Sequence, residues 1–262
     1  MFWLCKLERR FEPMTGSTEQ EMLDKLRRFN TPTVGNVVAS YPDHPHCLGL
    51  YDPWYGEWYT DDSLTCLLPE AGPAIGYAVT VVFGLDDPLQ PAVSYLDFVD
   101  FLLKSRKPSI VVCEAQFPPE VLPKAGIFGG QSGALYKACG AVGLITNSPV
   151  RDIDEIKTIG IQHLARGVTS GHGSLALRAF NVPVTVAGMR VLPGDMVHMD
   201  ENGACKFPAD RLADVCANID AFSDEETEHA DLLLSAKTVD EIKAAWKKVI
   251  SKGVGLDSRS VK

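Results

Sequence analysis

An α/β fold is indicated by three features of this 262-residue sequence. An apolar, β-branched run at 109–113 is followed by a glycine turn with a helical pattern, and then by a second apolar run from Ala141. Strand, helix and strand in this order are typical of a parallel βαβ unit. Helical periodicity returns near the C-terminus, from about Ala209 onward. Hydrophobic residues make up 45% of the chain, which is enough for a core of ordinary size.

The part of the chain before this unit is predicted to mix helices with a strand. Apolar residues at helical spacing, β-branched runs and Pro-containing breaks define the elements. In chain order they are helices at 19–29 and 34–40, a strand at 74–83 and a helix at 91–103. The loop 51–59 between them is dense in Tyr and Trp. For these aromatic rings, covering a neighbouring core is favoured over forming a partner surface or a lid.

The part after the unit contains two clear local signals. The pair Asn202-Gly203 predicts a β-hairpin, and Ser223 with Glu226 predicts a capping box at a helix start. The predicted elements are a short helix after Asp152, strands at 181–186, 196–199 and 204–207, and helices at 209–221, 224–235 and 239–251. We therefore predict three parts, which are a flexible arm at 1–16, an α/β catalytic domain at 17–222 and a C-terminal helical extension at 223–262.

Composition restricts the classes of function. The chain has 25 basic and 34 acidic residues, a net charge of −9, which argues against a nucleic-acid-binding surface. No apolar run approaches the roughly 18 residues that a membrane helix needs, and charges from Lys6 onward interrupt a signal-peptide core. The seven cysteines lack paired CxxC spacing, so we expect reduced thiols and a cytoplasmic protein. His44, His46 and Cys47 suggest zinc, but without a second pair of ligands they are predicted to be loop residues.

The βαβ unit predicts where a ligand binds. Because both strands of such a unit point the same way, the turn into the helix and the turn after the second strand share one edge, where ligands of open α/β sheets collect. The first turn at 129–132 offers helix N-terminal amides to an anion, and Arg151 can grip a carboxylate. Asp152 can hold a hard divalent cation. The sequence therefore predicts a site for a small carboxylate and a metal.

Simpler roles for these residues stay open. Arg151 and Asp152 could instead cap the helix that begins near Ile153, because a carboxylate is favoured at a helix N-terminus. Three histidines are candidate bases, but each stands alone in the sequence, and a surface or packing role is favoured for His163, His172 and His198.

A spacing pattern links the glycine turn to the acidic residues after it. Gly130, twenty residues, Arg151-Asp152, two residues and Glu155 occur in this order, and a Pro193-Gly194-Asp195 turn follows. The pattern resembles that of the 4-hydroxy-4-methyl-2-oxoglutarate aldolases and the related proteins called regulators of ribonuclease E activity A. The resemblance extends from about Gly76 to Pro208, about half of the chain.

The resemblance implies both a fold and an activity. The fold is a swivelling-domain-like α-β-β-α sandwich with C-terminal helices, assembled as a homotrimer or homohexamer. The activity is that of a metal-dependent (class II type) pyruvate aldolase, which cleaves 4-hydroxy-2-oxoacids to pyruvate and decarboxylates oxaloacetate through a metal-stabilised pyruvate enolate, with Mg²⁺ or Mn²⁺. By the same resemblance, Arg151 and Asp152 are catalytic, Asp152 binds the metal, and the small 2-oxoacid is bound by Gly129, Gly130, Gln131, Ser132 and Arg151.

A second branch of the same family implies a different function. Its members are non-catalytic and bind a ribonuclease as regulators, and they tend to carry Asp where Gly130 stands here. Glycine at this position favours the enzyme. The sequence also departs from the family before Arg151, where Asn147-Ser148-Pro149 stands. In the family a proton-relay acid comes from a neighbouring subunit's tail, and the candidates here are Glu225, Glu226 and Glu228.

Overall fold

The computed structural model describes residues 18–89 and 93–251, so the predicted arm at 1–16 lies outside the described residues. Its α-helices are α1 Glu19–Leu26, α2 Thr31–Gly35, α3 Tyr95–Lys104, α4 Gly130–Ala138, α5 Ile153–Ile159, α6 Leu212–Ser235 and α7 Val239–Ser251. Its strands are β1 Thr65–Cys66, β2 Ala74–Gly84, β3 Ser109–Gln116, β4 Ala141–Thr146, β5 Gln162–Ala165, β6 Ala176–Phe180, β7 Val184–Val186, β8 Met189–Val191, β9 Met196–Asp200 and β10 Gly203–Phe207. No helix in this part of the chain is both long and apolar enough to cross a bilayer.

The predicted βαβ unit is present as β3, α4 and β4. The main sheet has the strand order β1-β5-β4-β3-β2-β9-β10, and its four strands β2 to β5 are parallel to one another. β2 is long enough to pair antiparallel with β9 near its start and with β6 near its end. β7 and β8 form a separate hairpin. The carboxyl ends of β3 and β4 therefore open on the same edge, as the sequence predicted.

Alternate residues of β3 face different cores, because successive side chains of a strand point to opposite sides. Val111 and Cys113 pack in a cluster with α3, α4 and α5, whereas Ile110 and Val112 pack in an inner cluster whose buried members all lie on strands. A third cluster lies between β2, β9 and β10 and the helices α1, α2 and α6. Two strand layers thus enclose an inner core and a helical layer covers each outer side, which confirms the α-β-β-α sandwich.

The C-terminal helices are present, but the predicted break at Ser223 is wrong. α6 runs without interruption from Leu212 to Ser235. Just before Ser223, the buried Ile219 and Phe222 pack the helix against its core cluster. Within the helix, the Ser223 carbonyl accepts a hydrogen bond from the Thr227 hydroxyl. A local capping pattern was therefore overridden by the packing of the apolar face. The boundary between the domain at 17–222 and the extension at 223–262 stays a prediction.

Two further differences concern loops and short strands. The predicted strand at 181–186 is present only in its second half, as β7, and the separate strand β6 ends before it at Phe180. In the aromatic loop, Trp58 is buried and stacks on Tyr51 at a centroid distance of 6.1 Å, so it covers the core as predicted. Trp54 and Tyr55 do not, because they are 83% and 91% exposed.

The six cysteines in the described part of the chain, Cys47, Cys66, Cys113, Cys139, Cys205 and Cys216, are free thiols.

Two histidines are packed in the core, which confirms that role for His163 and His198. His198 Nδ1 lies 2.9 Å from the Thr31 hydroxyl and its Nε2 donates to the Leu26 carbonyl at 3.1 Å. His163 Nδ1 donates to the Ile161 carbonyl at 2.7 Å. Burial lowers the pKa of each imidazole from 6.5 to about 4.

These lowered pKa values predict acid sensitivity of the fold. Between about pH 6.5 and 4, His163 and His198 bind protons in the unfolded chain but stay neutral in the folded chain. The stability that the two neutral histidines contribute is therefore full above pH 6.5 and is lost as the pH falls towards 4. We expect the drop in Tm from pH 7 to pH 4.5 to be smaller in His198→Gln than in the wild type, measured by calorimetry. His172→Gln, at an exposed position, is the control. An unchanged pH dependence in His198→Gln would contradict the argument.

Candidate functional site

Two segments meet where β4 ends. Phe128 and Val150 form a parallel bridge, and the Arg151 amide donates to the Phe128 carbonyl at 2.9 Å. The chain then continues into α4 on one side and through Asp152 into α5 on the other. The glycine turn and the Arg151-Asp152 pair are therefore held side by side by main-chain hydrogen bonds. The structure brings together the residues that the sequence had singled out.

The Asp152 carboxylate lies at the N-terminus of α4. Its Oδ2 accepts a hydrogen bond from the Gly130 amide at 3.2 Å and lies 3.4 Å from Arg151 Nε. Asp152 also occupies the N-cap position of α5, but its side chain makes no capping bond there. The simpler interpretation, in which Asp152 caps α5, is therefore wrong for the side chain. The carboxylate faces the neighbouring helix and the guanidinium, and both side chains are about one-third exposed, at 34% and 36%.

The backbone of Asp152 is unusual for a residue with a side chain. Its φ of 59° and ψ of 49° lie in the left-handed region, where non-glycine residues pay a conformational cost. Such strain persists only where the surrounding structure holds it. Here the Arg151 amide bond to Phe128 and the first turn of α5 hold it from both sides. The local conformation turns the carboxylate away from its own helix and towards α4.

Asp152 and Glu155 approach Gly129 and Gly130 so closely that neither position has space for a side chain. A Cβ atom on Gly129 would overlap Asp152 Oδ2, and one on Gly130 would lie 2.7 Å from the Glu155 Cβ atom. Gly129 is in an extended conformation, so a side chain is excluded by space and not by the backbone angles. Ser132 Oγ accepts from the Gly129 amide at 2.9 Å. The first-turn amides of α4 have no helical acceptors, so those that remain suit an anion.

A cavity of about 350 Å³ opens beside this turn, within the size range of small-molecule sites. It is lined by predicted residues, which are Gly129, Gln131, Ser132, Arg151 and Asp152. Gly130 lines a second, wider depression of about 820 Å³ on the other side of Arg151 and Asp152. Gln131, Arg151 and Asp152 line both spaces, and the side chains of Arg151 and Asp152 are partly exposed to solvent.

The cavity also contains Tyr95, which the sequence did not identify, and His172, for which the sequence favoured a surface or packing role. Tyr95, from the start of α3, and His172, from the turn before β6, line it together with the apolar Ile127, Leu135 and Leu175. The Tyr95 hydroxyl lies 3.2 Å from the Tyr136 hydroxyl, and burial raises the pKa of Tyr95, so it keeps its proton near neutral pH. Nothing in the local sequence marks Tyr95 or places the candidate His172 at this site, because only long-range contacts bring the two residues to the cavity.

The donor set of the site fits one type of metal binding. Among residues 18–89 and 93–251, no group of three or more His, Cys, Asp or Glu side chains is arranged to hold a metal. Mg²⁺, however, is commonly bound through one or two carboxylates together with water and substrate oxygens. Asp152, with its partly exposed carboxylate between two open spaces, can supply that single protein ligand.

Other candidates lie elsewhere in the chain. Glu225 and Glu226 belong to α6, where Glu225 pairs with His44 at 3.5 Å and Glu226 accepts from the Asn36 amide group at 3.1 Å. Both contacts lie beside the core cluster of α1, α2 and α6, whereas the cavity lies beside the separate cluster of α3, α4 and α5. Within one chain these acids therefore do not reach the site, and their role as a proton relay stays a prediction. The loop residues at 44–47 are part of the same layer.

Sequence similarity links the chain to a known protein family. A family model described as RraA-like: Aldolase/RraA matches residues 55–205. A Burkholderia multivorans protein provisionally named as a 4-hydroxy-4-methyl-2-oxoglutarate aldolase is 31% identical over 86 residues, 30% of this chain and 49% of that protein. The chain spans about half the length of the curated relatives it matches.

Solved structures agree with the fold. An uncharacterized protein from Pseudomonas syringae superposes with a TM-score of 0.67 at 19% identity, covering 93% of this chain and all 100% of that one. Streptomyces coelicolor RraAS2, described as an unusual member of the RNase ES inhibitor RraA protein family, superposes with a TM-score of 0.59 at 21% identity, covering 82% and 96% of the two chains. At these identities the likeness shows the fold alone. Because the family model covers more than half of the sequence, the chain belongs to the RraA-like family of the Aldolase/RraA type.

Proposed function

We propose that the protein is a divalent-metal-dependent lyase that cleaves 4-hydroxy-2-oxoacids of the 4-hydroxy-4-methyl-2-oxoglutarate type to pyruvate, and that it also decarboxylates oxaloacetate. One observation carries the proposal. The Asp152 carboxylate, the Arg151 guanidinium and the first turn of α4 meet at a single small cavity, with Asp152 Oδ2 3.2 Å from the Gly130 amide. The names of distant relatives support the same chemistry.

Binding of the substrate follows from the charges in the cavity. The N–H groups of Gln131 and Ser132, in the first turn of α4, have no helical acceptors and orient the substrate carboxylate. The Gly129 and Gly130 amides already donate to Ser132 Oγ and Asp152 Oδ2, so these two glycines shape the turn against which the substrate lies. Arg151 places a permanent positive charge beside the same acid and can donate two parallel bonds to it. A compact 2-oxoacid suits the volume of about 350 Å³. The residues thus hold the reacting end of the substrate in one orientation.

The barrier of both reactions is the negative charge that develops as the carbon–carbon bond breaks and a pyruvate enolate forms. Arg151 stabilises this charge from a fixed position, so no reorganisation is needed during the reaction. Asp152 would hold Mg²⁺ or Mn²⁺, which when bound supplies Lewis-acid polarisation of the 2-keto oxygen. Decarboxylation needs no further group, whereas retro-aldol cleavage also needs a base for the C4 hydroxyl proton. We further propose a cytoplasmic homotrimer or homohexamer.

Pyruvate release tests the proposal. The purified chain is incubated with oxaloacetate or 4-hydroxy-4-methyl-2-oxoglutarate and Mg²⁺ or Mn²⁺, and pyruvate is measured. We expect activity that a chelator removes and excess metal restores. Arg151→Ala should lower the rate about 10²-fold, because it removes one preorganised charge. Arg190→Ala, an exposed arginine on β8 outside the cavity, is the matched control. Chelator-resistant turnover, or full activity in Arg151→Ala, would refute the assignment.

Regulation of a ribonuclease without catalysis is the alternative. It is supported by the description of a structural neighbour at 21% identity, where likeness shows only the fold. No contact within the described residues favours it over the lyase, and the glycine at position 130 favours the lyase. Absence of pyruvate from both substrates, with binding to a ribonuclease, would support the alternative.

A further inference from the structure

The imidazole of His172 is a group in the cavity that the chemistry above does not use. It lies on an exposed turn between β5 and β6, and it lines the same space as Arg151 and Asp152. The retro-aldol reaction needs a base at the far side of the substrate from the pyruvate half.

Main-chain hydrogen bonds fix the turn against both halves of the site. The Val150 amide donates to the Gly167 carbonyl and the Thr169 amide donates to the Val150 carbonyl, each at 2.9 Å. The Gly126 amide donates to the Gly171 carbonyl at 3.0 Å. Val150 directly precedes Arg151, and Gly126 leads into the glycine turn. The backbone that carries His172 is thus tied to both segments that build the site.

Gly126 shows how close this approach is. A Cβ atom at Gly126 would lie 2.6 Å from the Gly171 carbonyl oxygen and 2.9 Å from the Thr169 methyl group. Gly171 and Gly173, on either side of His172, have open space around them. The turn is therefore anchored at Gly126, while His172 itself faces the cavity.

The hydrogen bond of the ring sets its tautomer. His172 Nδ1 lies 2.5 Å from the Gly173 carbonyl oxygen. A carbonyl only accepts, so Nδ1 carries the proton, and in the neutral ring Nε2 keeps its lone pair. This is the arrangement in which a second hydrogen bond orients an imidazole base.

The other titratable residues that line the described cavity are poorer bases. The Arg151 guanidinium offers only donors and has no acceptor for a proton. Tyr95 has a pKa raised by burial, so its hydroxyl keeps its proton. Asp152 Oδ2 already accepts from Gly130 and faces Arg151, and the carboxylate is the proposed metal ligand. His172 is left as the group with an available lone pair.

We propose that His172 is the base of the retro-aldol step, an inference that rests on the lyase function proposed above. Nε2 takes the C4 hydroxyl proton, the C4–O bond becomes a carbonyl as the C3–C4 bond breaks, and the electron pair moves to the pyruvate half as its enolate. The imidazolium then returns the proton to C3, which gives pyruvate and a neutral His172. The apolar Ile127 and Leu175 that share the cavity suit a methyl group at C4.

Two substrates separate this role from a structural one. Loss of CO₂ from oxaloacetate removes no hydroxyl proton, so its consumption does not require His172. In His172→Gln we expect cleavage of 4-hydroxy-4-methyl-2-oxoglutarate to fall about 10²-fold, whereas oxaloacetate consumption stays within about threefold of the wild type. In His172→Ala, added imidazole should restore part of the retro-aldol rate, because His172 is exposed and the truncation frees the volume of its own ring beside the cavity. Ser170→Ala, in the same exposed turn, is the control with both rates unchanged.

Each other outcome has a definite meaning. Equal loss of both reactions, or no loss of either, would overturn the role of His172 while leaving the lyase function in place. A selective loss of cleavage without rescue by imidazole would also overturn it, because a positioning role would then explain the loss. A wild-type chain that consumes neither substrate with Mg²⁺ or Mn²⁺ would refute the lyase function, and the role of His172 with it.

Discussion

Asp152→Asn is expected to lower pyruvate formation from either substrate on the order of 10³-fold while leaving the fold intact. The substitution removes the charge that would hold the divalent cation and keeps the shape of the side chain. Asparagine adopts the left-handed backbone conformation as readily as aspartate does, and its amide oxygen can still accept from Gly130. We therefore expect a Tm close to that of the wild type, measured in the same preparation as the rate.

Two comparisons make this expectation specific. Asp152→Ala should lose the same activity but also stability, by roughly 1 kcal/mol, because alanine tolerates a φ of 59° less well. Asp97→Asn removes a carboxylate from the first turn of α3 and should leave the rate unchanged. If Asp152→Asn kept its rate and lost stability instead, the carboxylate would be a structural group of the α4 N-terminus and not a part of the reaction.

The edge of the sheet on which the site lies was predictable because it depends on local patterns. The β-branched runs of β3 and β4, the glycine turn of α4 and the Asn202-Gly203 hairpin each have a short-range signal. A parallel βαβ unit then fixes by geometry which turns are neighbours. The meeting of the glycine turn with Arg151 and Asp152 follows without knowledge of the rest of the fold, and the main-chain bond from Arg151 to Phe128 shows how it is held.

Other features were not predictable, because they depend on contacts distant in sequence. β5 contains Gln162 and His163, polar residues that look unlike a buried strand, yet Gln162 donates to the Leu68 and Gly72 carbonyls and His163 to Ile161. Ser223 has the local pattern of a helix start and lies inside α6 because of tertiary packing. His172 looked isolated in the sequence, and only the bonds of its turn to Gly126 and Val150 bring it to the cavity.

Gly129→Ala is expected to impair the site without impairing the fold. The activity should fall about 10²- to 10³-fold, with little loss of stability. The new methyl group would overlap Asp152 Oδ2 and lie 3.1 Å from Arg151 Cγ. Oδ2 is the end of a side chain that can rotate, so we expect the carboxylate to swing away and the backbone to stay. Displacement of a reacting group by about 1 Å is enough for a loss of this size.

A glycine one turn later in the same helix provides the matched control. A methyl group on Gly133 would make ordinary contacts of 3.5 Å and 3.8 Å with Ile159 and Ile161. Gly133→Ala should therefore keep full activity and gain up to about 1 kcal/mol, since alanine favours a helix interior over glycine. Rates and Tm values of both variants are measured, because together they distinguish a loss of activity from a loss of folding. The methyl group of Gly129→Ala would occupy the space that Asp152 Oδ2 now fills and displace the carboxylate. Equal rates in Gly129→Ala and Gly133→Ala would therefore show that the position of the Asp152 carboxylate does not matter for catalysis.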